Sequence, residues 1–283
     1  MTPAASARAR LAAAGLDDEQ VTRLVDAALA EDLAGCQDVT SVATVPARAE
    51  ATARFVARAD GVVAGLDVVE LVLARASDGR LRCRALARDG ESVTAGQALL
   101  EAAGPARDLL LAERTALNLL CHLSGVATLT RAWVDAVAGT EAQVRDTRKT
   151  TPLLRALEKY AVRCGGGVNH RMSLADAALV KDNHVVAAGG VVAAFRRVRE
   201  SFPDVAVEVE VDTVADAVAA VEAGADLVLL DNFGLDDLVS TVRLVGGRAR
   251  LEASGGLTLA DAAAVAGTGV DYLAVGALTH SAP

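Results

Sequence analysis

In the last third of the chain, short β-rich runs alternate with stretches of helical spacing. The runs at residues 205–211 (VAVEVEV), 227–231 (LVLLD), 249–253 (ARLEA) and 271–275 (DYLAV) start at positions 205, 227, 249 and 271, a repeat of 22. Helix-like stretches fill the gaps at residues 214–223, 235–245 and 259–266, and Gly224, Gly246 and Gly267 stand at or just past their ends as stop signals. Strand alternating with helix predicts parallel strands joined by right-handed crossovers. Runs this apolar predict a sheet buried on both faces. Upstream, residues 178–181 and 143–147 read as two further strands. With no strand-order switch and no GxGxxG, the pattern fits a parallel β/α barrel, complete or incomplete, better than an open doubly wound sheet.

The first 115 or so residues follow another rhythm. A helix at about 19–30 precedes an acidic loop, EDLAGCQDVTS (31–41). Strand-like runs at 51–59 and 81–87 flank a helix near 68–75, and DGESVTAGQALLEAAGPA (89–106) has the glycine-turned alternation of a small β-sandwich. Lipoyl-type carrier modules share that texture, but this stretch has no lysine to modify. A long amphipathic run, 106–137, then leads into the barrel. The expected fold is α/β: an N-terminal α/β sandwich domain, residues 1–114, followed by an incomplete parallel β/α barrel, residues 115–283. The first sixteen residues, rich in Ala and Arg and free of acids, read as a loose start before a helix.

Composition narrows the function. At 52% hydrophobic residues the chain is not disordered, yet it holds no apolar run of membrane-spanning length. One Trp, two Tyr and four Phe make a base-stacking platform improbable, and a net charge of −9 argues against a general polyanion binder. Neither nucleic acid nor membrane is therefore expected as a partner. Cys36, Cys83, Cys121 and Cys164 show no metal-like spacing and read as packing thiols in a reducing, cytoplasmic setting. Only three of the 28 basic residues are lysines, Lys149, Lys159 and Lys181. Against such a bias, a lysine marks a place where a compact ammonium is wanted.

In a barrel, chemistry collects at the C-terminal strand ends. There the sequence places Asp146-Thr147-Arg148-Lys149, Lys181-Asp182-Asn183-His184, Glu210 and Asp212, Asp231-Asn232, Ser254-Gly255-Gly256 and Gly276-Ala277. Residues 145–171 carry seven Lys and Arg against two carboxylates, with His170 in addition. Arg155, Glu158, Lys159 and Arg163 fit a solvated charged helix. Arg148-Lys149 and His170-Arg171 flank the triple glycine 165–167 and predict an anion site. Glycine turns after the last two strands are a recurring phosphate site, and Glu210 and Asp231 fit ribose hydroxyls or a divalent cation nearby. Together these features predict a phosphorylated sugar and a polyanionic partner.

The segments ERTALNLLCHLSG (113–125), DTRKTTPLLRALEKYAVRCGGGVNHR (146–171), LVKDNH (179–184), EVEVDT (208–213), LLDNF (229–233) and EASGG (252–256) resemble the quinolinate phosphoribosyltransferase family, also called carboxylating nicotinate-nucleotide pyrophosphorylase. The resemblance runs over nearly the whole chain, and the DTRKTTP and GGGxNHR pair is its most specific part. It implies that quinolinate and phosphoribosyl pyrophosphate give nicotinate mononucleotide, pyrophosphate and CO2, with Mg2+ accompanying the pyrophosphate substrate near Glu210 and Asp231. It also implies a homodimer, or a higher oligomer of dimers, in which Arg114 reaches the neighbour's site. Thr147, Arg148, His170, Arg171 and Lys181 would bind the acid, and Lys149, Glu210 and Asp231 would act at the sugar and pyrophosphate. Ser254, Gly255, Gly256, Gly276, Ala277 and Leu278 would hold phosphate. A short tail beyond the position of Pro283, packing on the N-terminal layer, is a further family expectation. Alternatives are a paralogue associated with molybdate transport, a non-decarboxylating nicotinate phosphoribosyltransferase, a Schiff-base lyase using Lys149 or Lys181, and a non-enzymatic sensor of a phosphate ligand.

Overall fold

The computed structural model describes residues 3–283 and forms two compact units. The first takes the chain up to Leu129, Thr151–Gly166 and the last two residues; the second takes Thr130–Thr150 and Gly167–Ser281. Arg114, where the division was expected, lies inside the helix Ala106–Ala136.

In the first unit, strands β1 (Glu50–Val56), β2 (Gly61–Val62), β3 (Arg82–Ala85), β4 (Ser92–Val93) and β5 (Ala98–Pro105) form two small sheets. β5 lies between β1 and β3, antiparallel to both, and β2 pairs with β4. The helix Leu66–Ala76 buries Leu66, Val68, Val69, Leu71, Val72, Leu73 and Ala74, too many for one stripe, so it forms the centre of this layer. Three expectations are corrected here. Among the described residues the chain start is not loose: Pro3–Ala13 is a helix that buries Ala7 and Leu11, and Arg10 pairs with Asp67 and Glu70. The acidic loop is partly helical, because Asp38 caps the helix Val39–Thr44 by accepting from Ser41 N–H at 3.0 Å. The helix Arg155–Cys164 is not solvated throughout, since Glu158 and Lys159 are fully buried. Glu158 stays polar inside because its two oxygens meet His122 Nε2 at 2.8 Å and Thr151 N–H at 3.0 Å.

In the second unit, β6 (Gln143–Arg145), β7 (Ala177–Val180), β8 (Ala206–Val211), β9 (Leu227–Asp231), β10 (Arg250–Ser254) and β11 (Tyr272–Ala274) make one parallel sheet in the order β6-β11-β10-β9-β8-β7. No strand ladder joins β6 to β7 among the described residues, so the barrel is incomplete there. Val168 partly fills the seam, donating to Val144 O at 2.9 Å and accepting from Asp146 N–H at 3.2 Å. The sheet is buried on both faces as expected, but one of those faces carries charge. In β8, Val207, Val209 and Val211 are buried on one face, while Glu208 and Glu210 take the other. Helices Val214–Glu222 and Leu235–Val245 fall where the spacing predicts them, and Ala262–Ala266 is shorter. Between β7 and β8 the chain adds two helices, Asp182–Ala188 and Val191–Ser201, separated by Gly189 and Gly190 at φ +87° and +129°. All four cysteines are free, and none is fully buried: Cys36 and Cys121 are exposed, which corrects their reading as packing thiols. Among the described residues no helix is long and apolar enough to cross a membrane.

Candidate active site

Alternate strand residues face the barrel interior, and those at the C-terminal ends converge on a cavity of about 390 Å³. Thr147, Arg148, Lys149, His170, Arg171, Lys181, Glu210, Asp231 and Ser254, all singled out from the sequence, line it. So do Leu179, Leu229, Glu252 and Ala274, which were given no role.

The site is held from beneath by the buried carboxylate of Asp146. It accepts from His170 N–H at 2.8 Å and from Asn169 Nδ2 at 2.5 Å, fixing the loop that carries His170 and Arg171. Lys149 is anchored through its backbone, donating to Thr147 Oγ1 at 3.0 Å and accepting from Thr279 Oγ1 at 2.8 Å. Lys181 Nζ meets Glu210 Oε2 at 2.6 Å, while its backbone N–H donates to His184 Nδ1 at 2.9 Å. Asp231 accepts from Asn232 Nδ2 at 2.7 Å through one oxygen. Arg148 and Arg171 each bury an Nε–H that has no partner. Burial, and next the charge of Arg148, hold the Arg171 guanidinium below its ordinary pKa. Two neighbouring cations with unmet donors define a place for an anion.

The two glycine turns differ in detail. Gly255 has φ +93°, and a Cβ there would lie 2.3 Å from Asn232 Oδ1 and 2.8 Å from Asn232 N. Asn232 is itself left-handed at φ +57°, and its N–H donates to Ser254 O at 2.8 Å, so backbone and side chain close tightly on the turn. Gly255→Ala should therefore cost more than the ~1–3 kcal/mol of a strained φ alone. Gly247 shares the conformation, at φ +75°, but has nothing within 4 Å of its Cβ. Thermal unfolding of the two alanine variants checks this: Gly255→Ala is expected to lose more Tm than Gly247→Ala, and equal losses would refute the clash. At the second turn, a Cβ on Gly276 would come 3.1 Å from Lys149 Cδ, so the lysine stem packs on that glycine. Leu278 is fully buried and its N–H points to Val275 O at 3.4 Å, which leaves the half-buried Gly276 and Ala277 as the more accessible part of the turn.

One inward position deeper, the barrel holds charge that sequence reasoning passed over. Arg145 is paired with Glu252 Oε2 and lies 3.9 Å from Glu208 Oε1. His170 Nε2 lies 2.8 Å from Glu208 Oε2 and 3.7 Å from Glu252 Oε1. His170 Nδ1 accepts from the Arg171 backbone N–H at 2.7 Å, which places the ring proton on Nε2, facing Glu208. Glu208 Oε1 and Glu252 Oε1 are buried with no hydrogen-bond partner. Burial, and next the charge of Glu208, push the Glu252 carboxyl up to about 7 despite Arg145 and His170. One ligand atom each from His170, Glu208 and Glu252 falls within 4.8 Å of the others, a spacing a metal ion could bridge. Arg145 already supplies the positive charge on Glu252, and the His170 proton faces Glu208, so the cluster is occupied without one. The readable signal was a glutamate inside each of two buried strands, VEVEV and RLEAS.

A second cavity, of about 450 Å³, is lined by Ala177, Ala206, Leu227 and Arg250, the first residues of β7 to β10, and so opens at the opposite end of the barrel. Arg145, His170, Arg171 and Glu208 line it too. Arg114, in the first unit, is exposed on its helix and has no ion-pair or hydrogen-bond partner among the described residues.

An incomplete β/α barrel with paired cations, carboxylates and glycine turns at its C-terminal mouth is the architecture of an enzyme that handles small polyanions. Residues 126–283 match the family model for the quinolinate phosphoribosyl transferase C-terminal domain, and residues 38–124 match that for the N-terminal domain. The chain is 54% identical over 259 residues to the nicotinate-nucleotide pyrophosphorylase [carboxylating] of Mycobacterium leprae, covering 90% of this chain and 91% of that protein. It is 42% identical to the probable enzyme of the same name from Synechocystis, over 82% of this chain and 79% of the relative. The solved structure of the nicotinate-nucleotide pyrophosphorylase from Francisella tularensis superposes with a TM-score of 0.90 at 38% identity, covering 94% of this chain and 93% of that one. The chain belongs to the quinolinate phosphoribosyltransferase family.

Proposed function

We propose that the protein transfers the phosphoribosyl group of phosphoribosyl pyrophosphate to quinolinate and decarboxylates the adduct, giving nicotinate mononucleotide, pyrophosphate and CO2 for NAD biosynthesis. Beside family membership, the observation that carries this reading is the Arg148 and Arg171 pair, whose buried Nε–H groups lack partners. Two adjacent carboxylates on a pyridine ring would answer both. Thr147 and Lys181 complete the acid's surroundings, and His170, with both ring nitrogens engaged, serves by holding Arg171 in place. Arg114 of a neighbouring subunit would close the pocket in a homodimer, and further association of such dimers would leave the site unaltered. The exposed, unpartnered state of Arg114 supports that role.

Lys149, packed on the Gly276 turn, would meet pyrophosphate, whose charge grows as the glycosidic bond to it breaks. Glu210 and Asp231 face the sugar, where a carboxylate stabilises the oxocarbenium-like state. Ser254, Gly255 and Gly256, with Gly276 and Ala277, would take the phosphate, and Leu278 packs beneath that second turn. Glu210 gives one oxygen to Lys181 and Asp231 one to Asn232, so each keeps an open oxygen. Two such groups at a wide mouth suit Mg2+, which is held through one or two carboxylates and keeps most of its ligands as water and substrate oxygens. When bound, Mg2+ neutralises charge on the departing pyrophosphate. The ring nitrogen, once quaternised, accepts the electron pair left by CO2, a step favoured by a water-poor pocket. The four free cysteines fit a reducing cytoplasm.

Discrimination between acids tests this reading. Nicotinate offers one carboxylate, leaving a desolvated cation uncompensated at a cost of ~3–5 kcal/mol, or two orders of magnitude and more in kcat/KM. Quinolinate is expected to be used and nicotinate not; comparable kcat/KM values for the two would refute the pocket assignment.

A further inference from the structure

The reaction proposed above, on which this inference rests, leaves a requirement that none of the mouth residues meets. When the C–CO2 bond of the ribosylated quinolinate breaks, the electron pair stays on the ring carbon beside the quaternised nitrogen. A proton must then form the new C–H bond before CO2 recombines. Lys149, Arg148, Arg171 and Lys181 are placed to bind anions, and Glu210 and Asp231 to face the sugar.

Beneath them stands Glu252, fully buried yet lining the same cavity as the acid-binding cations. Around it are Arg145 from β6, Glu208 from β8, His170 from the loop after Val168, and Tyr272 from β11, whose ring lies 4.8 Å from the Arg145 guanidinium carbon. With His170 carrying its ring proton on Nε2, the group of Arg145, Glu208 and Glu252 has one negative charge too many for a buried place. One added proton makes it neutral, and the two carboxylates are the groups with unpartnered oxygens. The added proton goes to Glu252, the carboxyl whose acidity burial and Glu208 suppress.

We infer that Glu252 is the acid that protonates the ring carbon vacated by CO2, refilled from solvent through the cavity at the opposite end of the barrel. The Glu252 O–H bond breaks as the C–H bond forms, CO2 departs, and the cluster regains its proton from water by way of Glu208 and His170, which line that second cavity. Glu252 is then a catalytic residue that works after pyrophosphate has gone. Its donor form is lost as pH rises, so decarboxylation should slow on the alkaline side while phosphoribosyl transfer does not.

Single-turnover experiments with enzyme in excess, quenched and analysed for pyrophosphate, quinolinate mononucleotide and nicotinate mononucleotide, test this. For Glu252→Gln, pyrophosphate release is expected to stay within about threefold of wild type. Nicotinate mononucleotide should form at least ~100-fold more slowly, with quinolinate mononucleotide accumulating. Glu208→Gln removes the neighbouring anion, and the alkaline loss of decarboxylation should move to lower pH; this variant decides the matter if Glu252→Gln does not fold. The inference is overturned if Glu252→Gln makes nicotinate mononucleotide within threefold of wild type, or if both products fall by one common factor. It is equally overturned if the Glu208→Gln profile stays in place or moves upward. Wild-type protein that releases no pyrophosphate from these substrates would instead defeat the reaction itself, a separate outcome visible in the same assay.

Discussion

Lys149→Ala is expected to lower kcat by a factor of roughly 10² to 10³ with little change in KM, the loss of an oriented donor worth ~3–4 kcal/mol at developing charge. Its neighbour behaves differently. In the proposed reaction Arg148 would hold a carboxylate already present in the ground state, so Arg148→Ala should chiefly raise KM for quinolinate. The structure gives the physical basis for the split. The Arg148 guanidinium buries an unmet Nε–H beside Arg171, whereas the Lys149 stem packs on Gly276 at the second glycine turn. Lys149→Arg should rescue poorly, because a planar fork replaces a compact ammonium in a space closed by Gly276. Steady-state kinetics of the three variants check this; near-wild-type Lys149→Arg, or a Lys149→Ala that changes only KM, would contradict it.

The second large effect follows from the proposed homodimer, in which Arg114 would complete the neighbour's site. Arg114→Ala and Lys149→Ala should each be nearly inactive alone, since every site in either homodimer lacks one of the two groups. After subunit exchange, a mixed dimer contains one site with both defects and one with neither. Equal mixing makes about half of the dimers mixed, so activity should return to about a quarter of wild type. No recovery under verified exchange would place Arg114 outside the neighbour's site.

The barrel was legible because its repeat is regular. β8 to β11 lie at or within a residue of the predicted runs, and Gly224 and Gly246 turn left-handed where helix stops were expected. What the sequence hid depends on partners distant along the chain. The Pro3–Ala13 helix has an Ala- and Arg-rich sequence and gains its place by burying Ala7 and Leu11 and by pairing Arg10 with Asp67 and Glu70. Glu158 and Lys159 look like solvent-facing charges in a basic helix, and nothing local announces that His122 and Thr151 satisfy Glu158 inside. Nine of the residues expected at the mouth, from Thr147 to Ser254, were readable because strand ends are where barrel chemistry gathers, and these line one cavity; Asp182, Asn183, His184, Asp212 and Asn232, from the same strand ends, do not. Glu208 and Glu252 lie deeper, at strand centres where a pattern read as apolar gave charge no role. Their meaning emerges only when parallel register brings Arg145 and His170 beside them.

The most direct test of the account is a product balance with quinolinate, phosphoribosyl pyrophosphate and Mg2+. It predicts CO2, pyrophosphate and nicotinate mononucleotide in equal amounts, with none of the three formed when quinolinate is omitted. Pyrophosphate without CO2 and nicotinate mononucleotide, or no reaction of quinolinate at all, would contradict it.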